Sequence, residues 1–323
     1  MDLIFTNAKR VDQGVLSTHS FDLSYGAEEN DFELTIGANE TMLEYGAFVY
    51  IEGTEYGGTV DGLKAVTNGE AITYMGRTWH GIMNSKVIQP DTGKDYLVVS
   101  GDANEVLSFL VARLGLSGLF VAAEELSGVN ISGYKFKRYC KGYDGIRAML
   151  AAVGAKLKVA WENRSVSLSA EPIADYTDSP VDGDIATLSV EYHEKKVNHL
   201  ICLGKGDLAA REVIHLYVDQ FGRIGDVQYY TGLDEICETY DGSNSDDLRS
   251  DGIEHLTELR SVDVSELIPS QTEVLTYDIG DIVGATEYKS RITVDAAVIQ
   301  KIVKINNGVV STEYKTGGDF SNG

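Results

Sequence analysis

The chain of 323 residues is 43% apolar and 24% charged, proportions typical of soluble globular proteins and not of disordered or membrane-spanning ones. Its formal net charge of −23 argues against direct binding of nucleic acid, because such binding depends on Lys and Arg side chains that displace counterions from phosphates. No secretory signal is recognisable at the N-terminus, and three widely spaced cysteines, Cys140, Cys202 and Cys237, favour small buried side chains over a disulfide framework or a zinc ribbon.

The first 98 residues alternate apolar and polar side chains in short runs, which is the pattern of β-strands. Runs such as "FELTI" and "YLVVSG" are rich in β-branched and aromatic residues and are separated by Gly, Asn and Asp. Within "AFVYIEGTEYGGTVDGLKAV" we expect a hairpin turn at Gly57 and Gly58, since glycine allows positive φ angles. Several short strands at close spacing predict a small barrel or sandwich over residues 1–98.

The stretch "ITYMGRTWHGIM" places Arg77, Trp79 and His80 within four positions of each other. On a continuing strand Arg77 and Trp79 would share one face, where the guanidinium can stack on the indole, and His80 would point to the other face. A divided group of this kind is poorly suited to catalysis, so we interpret the stretch as structural.

Residues 99–176 are predicted to form a small α/β unit of two similar halves. Asp102 followed by Glu105 resembles a capping box, and the helix after it stops at Gly115. In the second half Asp144 is the expected N-cap and Gly154 the expected end. The predicted apolar faces of the two helices are Val106, Leu107, Leu110, Val111 and Leu114, and Ile146, Met149, Leu150 and Val153. A hairpin, "AKLKVAWENRSVSLSA", then completes the unit.

Strand-like runs return at residues 177–226 and 263–323, which are predicted to form a second β-domain. Between "QKIVKI" and "VVSTEY", the pair Asn307-Gly308 is a strong hairpin signal. Taken together, the elements predict an α+β, mainly β chain.

An acidic insert over residues 227–262 interrupts the second β-domain. The segment from Gly225 to Glu266 contains twelve Asp and Glu residues against two Arg, which is typical of a solvated insert. Within it we expect a helix near 246–260. We also expect one helical face formed by Leu233, Ile236, Cys237 and Tyr240.

No motif in the chain predicts a catalytic, cofactor-binding or metal-binding residue, and we expect neither a cofactor nor an enzyme. The six histidines are His19, His80, His193, His199, His215 and His255. None has the spacing of a metal site such as HExxH. The Gly-x-Gly in "LGKGDLAAR" lacks the rest of a phosphate-binding loop and indicates a bent strand or turn. The run "DGSNSDDLRSDG" has a glycine, Gly252, where a calcium loop requires a bidentate Glu.

Five segments resemble, in their order along the chain, the tail-hub (tail-tip) proteins of tailed bacteriophages and prophages, the platform also found at the N-terminus of tail-associated lysins. They are "FDLSYGAEENDFELTI", "YMGRTWHGIMNSKVIQP", "YDGIRAMLAAVGAKLKVAWENRSVSLSA", "VNHLICLGKGDLAAREVIHLYVDQFGRIGD" and "YDIGDIVGATE". The resemblance depends on order and spacing along nearly the whole chain and not on a single motif. It implies two tail-tube-like β-barrel domains with a small α/β insert and the acidic helical insert.

The resemblance also implies a structural, non-enzymatic function at the distal tip of a phage tail. The expected assembly is a homotrimer whose ring continues the tail tube, closes or opens for DNA passage and anchors spike or fibre components. Expected partners are a distal-tail ring protein, a tape-measure protein and a spike, fibre or lysin component. Neither specific binding of nucleic acid nor membrane insertion is expected, and the location is the virion tail tip after assembly in the host bacterial cytoplasm. Because the sequence ends soon after the second β-domain, no lysin activity is expected of it.

Two alternatives remain open from the sequence. The same fold would serve as the hub of a contractile injection system or a tailocin-like particle. A cell-wall hydrolase that uses an acidic pair is compatible with the 50 Asp and Glu residues, although no arrangement of them indicates one.

Overall fold

The computed structural model describes residues 1–39, 41–177, 186–191, 196–243, 245, 247–260, 264–269, 276–287, 292–317 and 320–322. Strands dominate these residues and helices are few, which confirms the α+β, mainly β class.

The N-terminal part forms seven strands and a short helix, because short alternating runs are separated by turn residues. Their bounds are β1 Leu3–Thr6, β2 Asp12–Leu16, β3 His19–Gly26, β4 Asp31–Gly37, β5 Phe48–Tyr50, β6 Gly57–Ala65, β7 Ala71–Thr78 and α1 Trp79–Asn84. In β4 the side chains of Phe32, Leu34 and Ile36 are buried while Asp31 and Glu33 are exposed, as the alternation predicts.

The hairpin between β5 and β6 turns earlier than predicted. Gly57 and Gly58 lie inside β6 without positive φ angles, and the φ of 72° belongs to Gly53. Close packing requires the two glycines instead. A Cβ atom on Gly57 would lie 2.8 Å from the indole of Trp79, and one on Gly58 would lie 2.1 Å from the carbonyl oxygen of Arg77.

A helix begins where the sequence predicts a continuing strand. Thr78 ends β7 and caps α1, since its hydroxyl oxygen accepts a hydrogen bond from a backbone N–H of the first turn. The turn carries Trp79 into the interior, where its ring stacks on that of Trp161 with centroids 5.0 Å apart. Arg77 stays on the surface and pairs with Asp61. The predicted stacking of Arg77 on Trp79 is therefore wrong.

The middle of the chain forms the predicted α/β unit. Its elements are β8 Val87–Ile88, β9 Val98–Asp102, α2 Ala103–Arg113, β10 Phe120–Ala122, β11 Asn130–Lys135, β12 Cys140–Lys141, α3 Gly142–Ala151, β13 Ala155–Glu162 and β14 Ser165–Pro172. The side chains of both predicted helical faces are buried or partly buried in one core. Gly115 and Gly154 follow the helices with φ angles of 70°, as helix ends favour.

The two helices begin differently from each other. Asp102 caps α2 by accepting a hydrogen bond from the backbone N–H of Asn104 at 2.9 Å, as predicted. Asp144 is not the N-cap of α3, because that helix already begins at Gly142. A side chain at Gly142 would lie 2.5 Å from the carbonyl oxygen of Met83, so the start of α3 packs directly on the end of α1.

The last part of the chain is again rich in strands. Its elements are β15 Ala186–Glu191, β16 His199–Leu203, β17 Val213–Val218, β18 Ile224–Gly225, β19 Cys237–Asp241, α4 Leu248–Arg260, β20 Val264–Pro269, β21 Ile282–Glu287, β22 Ile292–Asn306, β23 Val309–Gly317 and β24 Phe320–Asn322. The predicted Asn-Gly hairpin is confirmed: Asn307 and Gly308 have φ angles of 49° and 84° between β22 and β23.

In the described part of the chain, one sheet of thirteen strands connects the two ends of the sequence. Its order is β15, β20, β23, β22, β3, β4, β7, β6, β5, β1 and β2, with β21 and β24 also paired to β22. The long strand β22 pairs with β3 through Gln300–Asn306 and with β21 through Ile292–Ala297. The first group of strands is therefore completed by a strand from the C-terminal part.

The acidic insert is a separate small unit. Four strands in the order β18, β17, β16 and β19 form a sheet whose one face packs on α4, and their shared core contains Leu200, Cys202, Leu216 and Leu256. The predicted helix near 246–260 is confirmed as α4. The predicted helical face of 233–240 is wrong, because β19 pairs in parallel with β16 and the side chain of Leu233 is 96% exposed.

This grouping differs from the expected domain boundaries. Strands β16 to β18 were placed in the second β-domain, but among the described strands they pair with each other and with β19 of the insert. Strands β15 and β20 to β24 belong instead to the large sheet that also contains β1 to β7.

Candidate functional site

A group of buried polar side chains lies where the N-terminal sheet, α1, α3 and β22 meet. We call it the ionic junction and define it as Glu55, His80, Lys301, Tyr25 and Tyr143. Lys301 donates from Nζ to Oε1 of Glu55 at 2.7 Å, and only 2% of Lys301 is exposed.

The charges of the ionic junction stabilise each other. Burial opposes the charged form of Lys301, but the attraction of Glu55, the nearby Tyr56 and Tyr314, and the hydrogen bond to Glu55 together outweigh it, so the pKa of Lys301 lies above its ordinary value. Burial likewise opposes the charged form of Glu55, but Lys301 holds the pKa of that carboxyl below its ordinary value. The pair therefore stays ionised through the neutral range and joins the loop before β6 to β22.

His80 fills the junction as a neutral ring. Burial lowers the pKa of His80 to about 4, although Glu55 lies 3.8 Å from its Nε2 atom. The ring stacks on Tyr25 with centroids 4.4 Å apart and meets the edge of Tyr143 at 5.0 Å. His80 therefore packs between the sheet and α3, in agreement with a structural interpretation of the stretch around it.

A second ionic group joins the α/β unit to the segment before β21. Lys156 donates to Asp281 at 2.7 Å and to Asp278 at 2.9 Å, and Lys158 also donates to Asp278 at 2.9 Å. Asp281 is 1% exposed and accepts a further hydrogen bond from the backbone N–H of Ala174. The ion pair of the junction thus joins the N-terminal part to β22, and this second group joins the α/β unit to the segment before β21.

A concave, acidic depression lies on the outer side of the sheet, over β22, β3, β4, β7 and β6. Its volume is about 630 Å³. We call it the acidic face. The carboxylates that line it are Asp22, Glu29, Asp31, Glu33 and Asp61. Burial, followed by the charges of Glu29 and Glu33, raises the pKa of Asp31 above its ordinary value. Asp61 differs from Asp31, because the hydrogen bond from Arg77 lowers the pKa of Asp61 below its ordinary value.

The insert contains a hydrogen-bonded chain that the sequence analysis missed. His199 Nδ1 lies 2.6 Å from Glu235, and His199 Nε2 lies 2.8 Å from Nδ1 of His215. The pairing of His199 with Tyr217 across β16 and β17 places both histidines on one side of the sheet. The two positions could have been paired from the sequence only if this register had been known.

The remaining candidates occupy ordinary structural positions. The imidazole of His19 contacts the carbonyl oxygen of Leu16, while His193 lies outside the described residues. Cys202 is buried as expected, Cys140 is partly buried, and Cys237 is exposed, contrary to expectation. Gly204 and Gly206 lie in the loop between β16 and β17, and Gly252 lies inside α4.

No group of three or more His, Cys, Asp or Glu residues is arranged to hold a metal ion in the described part of the chain. Within those residues, no helix combines the length and the apolar character that crossing a bilayer requires.

The fold is that of phage and prophage tail proteins. The chain is similar over 98% of its length to a 43 kDa tail protein of prophage MuSo2 from Shewanella oneidensis, with 98% of that chain covered, 10% identity and a TM-score of 0.58. It is similar over 98% of its length to a tail protein from Neisseria meningitidis MC58, with 96% of that chain covered, 13% identity and a TM-score of 0.54.

A third similar chain comes from a topological model of the p2 virion baseplate in its activated conformation. The similarity covers 98% of this chain and 99% of that one, with 12% identity and a TM-score of 0.52. No family model matches the sequence, and no curated protein matches it. At the level of fold, the resemblance to tail proteins is confirmed.

Proposed function

We propose that this protein is a structural, non-enzymatic hub at the distal tip of a phage tail. The observation that carries the proposal is the likeness of fold along 98% of the chain to prophage tail proteins that are themselves covered almost completely. The ionic junction supports a structural role, because its buried, hydrogen-bonded ion pair and its ring contacts make the packing of the N-terminal sheet, α3 and β22 rigid and specific.

The hub is a homotrimer that forms a ring and continues the tail tube. Among the described strands, β2 and β15 end the path of the large sheet and each has a neighbour on one side only. Unpaired strand edges invite pairing with another chain, and a closed ring covers them. Neighbouring copies would supply that cover.

The acidic face lines the bore of this ring. A wall of carboxylates repels the phosphates of DNA, so the nucleic acid passes without adhering. The ring opens or closes for DNA passage at this face.

The proposed partners are a distal-tail ring protein, a tape-measure protein and a spike, fibre or lysin component. The proposed location is the virion tail tip, after assembly in the host cytoplasm. We retain the division into two barrel-like β-domains as a proposal, with the acidic insert widened to include β16 to β19 and α4.

Two measurements test the proposal. In a phage or prophage that encodes this protein, deletion of its gene should abolish tails or arrest tail initiation, and the intact gene supplied in trans should restore them. Normal tails after deletion contradict the proposed role. For the purified chain, light scattering over a range of concentrations should reveal a species of about 106 kDa, three times the 35.2 kDa chain.

A further inference from the structure

One leucine of the insert is presented to solvent at a conformational cost. Leu208 is 95% exposed and has a φ of 50°, in the left-handed region that side chains other than glycine rarely adopt. Strain of this kind persists only where the surrounding structure imposes it, and it often marks a functional position. Leu208 thus differs from an ordinary exposed apolar residue.

The surrounding loop, residues 204–212, is held firmly by its own hydrogen bonds. Gly204 and Glu212 bond across its base at 2.8 Å, and the backbone N–H of Arg211 donates to the carbonyl oxygen of Leu208 at 3.2 Å. The side chain of Arg211 also donates to Gly204 and to Asp241. We call this segment the Leu208 loop. Because the loop is ordered before any contact, presenting Leu208 to a partner costs little further entropy.

A carboxylate accompanies the exposed leucine. Asp207 is exposed, and its side chain makes no capping hydrogen bond in the short turn Leu208–Ala210. Within the described residues it forms no ion pair. The tip of the Leu208 loop therefore combines an aliphatic side chain with an available negative charge.

A cavity of complementary character lies elsewhere on the same chain. It measures about 250 Å³ and opens between α3, β13 and β22. Small and branched aliphatic side chains form most of its wall, among them Ala148, Ala151, Leu157, Ile279 and Ile299. Since an apolar cavity of about 150 Å³ can accept a benzene molecule, this one has room for a leucine side chain. We call it the α3 cavity.

Two polar groups of the α3 cavity lack the partners expected of them. The guanidinium of Arg147 lies over the ring of Tyr143 at 5.2 Å and 3.5 Å from the carbonyl oxygen of Ile299, and no carboxylate of the described residues forms an ion pair with it. Oδ1 of Asp144 is buried and has no hydrogen-bond partner among the residues that the structure describes. Lys156 also lines the cavity, but Asp278 and Asp281 already compensate its charge.

We propose that the Leu208 loop of one copy inserts Leu208 into the α3 cavity of a second copy of this chain, with Asp207 pairing with Arg147. Asp144 then accepts a hydrogen bond from the incoming backbone. This inference rests on the proposed trimer and names one contact within its interface.

The contact is of the kind that closes a ring. The loop and the cavity are different surfaces of one chain. Each copy therefore binds one neighbour through its Leu208 loop and the other neighbour through its α3 cavity. Head-to-tail contacts of this kind form a ring when the rotation between neighbours closes. One leucine buries far less than the roughly 800 Å² per partner of a stable interface. The contact therefore fixes the angle between neighbours within a larger interface.

Disulfide trapping tests the contact between separate chains. Chains with Leu208→Cys are mixed with chains with Ala148→Cys, both in a Cys237→Ser background that removes the exposed native thiol, and are oxidised. We expect a dimer that joins one chain of each kind. The matched control replaces Leu208→Cys by Leu233→Cys, which is 96% exposed on the same insert but lies outside the Leu208 loop. Equal trapping of both pairs, or none of the first, overturns the proposal.

Light scattering separates the failure of this contact from the failure of the trimer. We expect Leu208→Ser and Arg147→Gln each to weaken the trimer about tenfold to a hundredfold, because each contact loses one buried leucine or one ion pair, whereas Leu233→Ser leaves it unchanged. A wild-type trimer that Leu208→Ser does not weaken contradicts the contact alone. A wild-type chain that stays monomeric at every concentration contradicts the trimer and the contact together.

Discussion

Lys301 and Glu55, which are 246 positions apart in the chain, form an ion pair of 2.7 Å inside the protein. The pair joins the loop before β6 to β22, next to the neutral ring of His80. Because Lys301 is almost completely buried, the loss of either partner leaves a charge without compensation in the interior.

Replacing Lys301 should therefore be costly. We expect Lys301→Met to lower the free energy of unfolding by about 3 kcal/mol, since Glu55 then remains largely buried without its counterion. Adding Glu55→Gln should recover part of that loss. Urea denaturation followed by circular dichroism measures both. Lys304→Met is the control on the same strand, because its partner Glu313 is 36% exposed and such pairs contribute about 1 kcal/mol or less. Equal effects of the two lysine replacements would contradict the buried character of the pair.

The low pKa of His80 makes stability depend on pH in a defined direction. Its folded pKa of about 4 lies below the ordinary 6.5, so between these values the unfolded chain binds more protons than the folded one. The contribution of His80 to the free energy of unfolding should accordingly be fully present near pH 7. It should decrease as the pH drops from 6.5 to 4 and change no further below pH 4. The full contribution is about 3 kcal/mol.

The variant His80→Gln isolates that contribution. The free energy of unfolding of this variant should change less between pH 7 and pH 4 than that of the wild type, because the variant lacks the imidazole. Carboxylates elsewhere titrate in both proteins, so the difference between the two profiles reports His80 whatever the absolute stability of the variant. Denaturation at four pH values across this window measures the difference. Parallel pH profiles would mean that His80 titrates normally in the folded protein.

Gly58 should tolerate no side chain, although its backbone is ordinary. A Cβ atom there would lie 2.1 Å from a carbonyl oxygen of β7 and 2.9 Å from the ring of Phe32. We expect Gly58→Ala to destabilise the protein by about 2 kcal/mol or more. Gly62→Ala in the same strand is the control, since its nearest neighbour would be Met75 at 3.8 Å, and it should be neutral or stabilising by about 0.5 kcal/mol. Thermal melting of the two variants would rank them, and a reversed order would contradict the close approach of β6 and β7.

Reversing charge on the acidic face should impair DNA passage without impairing assembly. Asp22 and Glu33 face each other across β3 and β4, and replacing both by Lys creates a patch that attracts phosphates. We expect particles with normal tails but slower DNA ejection in low salt, with recovery in high salt. Glu124→Lys with Glu125→Lys changes charge equally on the exposed α/β unit and should leave ejection unchanged. Ejection kinetics by dye fluorescence give the comparison, and equal slowing by both pairs would argue against the acidic face as the bore.

Much of the fold was predictable because it depends on local pattern. The alternation in β4, the Asp102 cap and the Asn307-Gly308 turn are each decided by residues within a few positions of each other. The apolar faces of α2 and α3 follow the same logic. Such elements can be predicted from one sequence because residues close together in the chain determine them.

Elements that depend on contacts between residues far apart in the chain could not be predicted from the sequence. Leu233, Ile236, Cys237 and Tyr240 have helical spacing, yet β19 forms because β16 offers it a parallel neighbour. Similarly, Trp79 leaves the strand pattern because Trp161 of β13 provides a buried stacking surface. The ionic junction was unpredictable for the same reason, since nothing near Glu55 in the chain indicates Lys301.

The pairing of β22 with β3 has a consequence during synthesis on the ribosome. Gln300 and Ser24, which are bonded across these strands, are 276 positions apart, so β3 is translated long before its neighbour exists. Until then β3 presents an unpaired edge that can recruit strands from other nascent chains, a risk that grows with polysome density. A message truncated before β22 would yield a polypeptide unable to complete its own sheet, which would be exposed to cellular proteases.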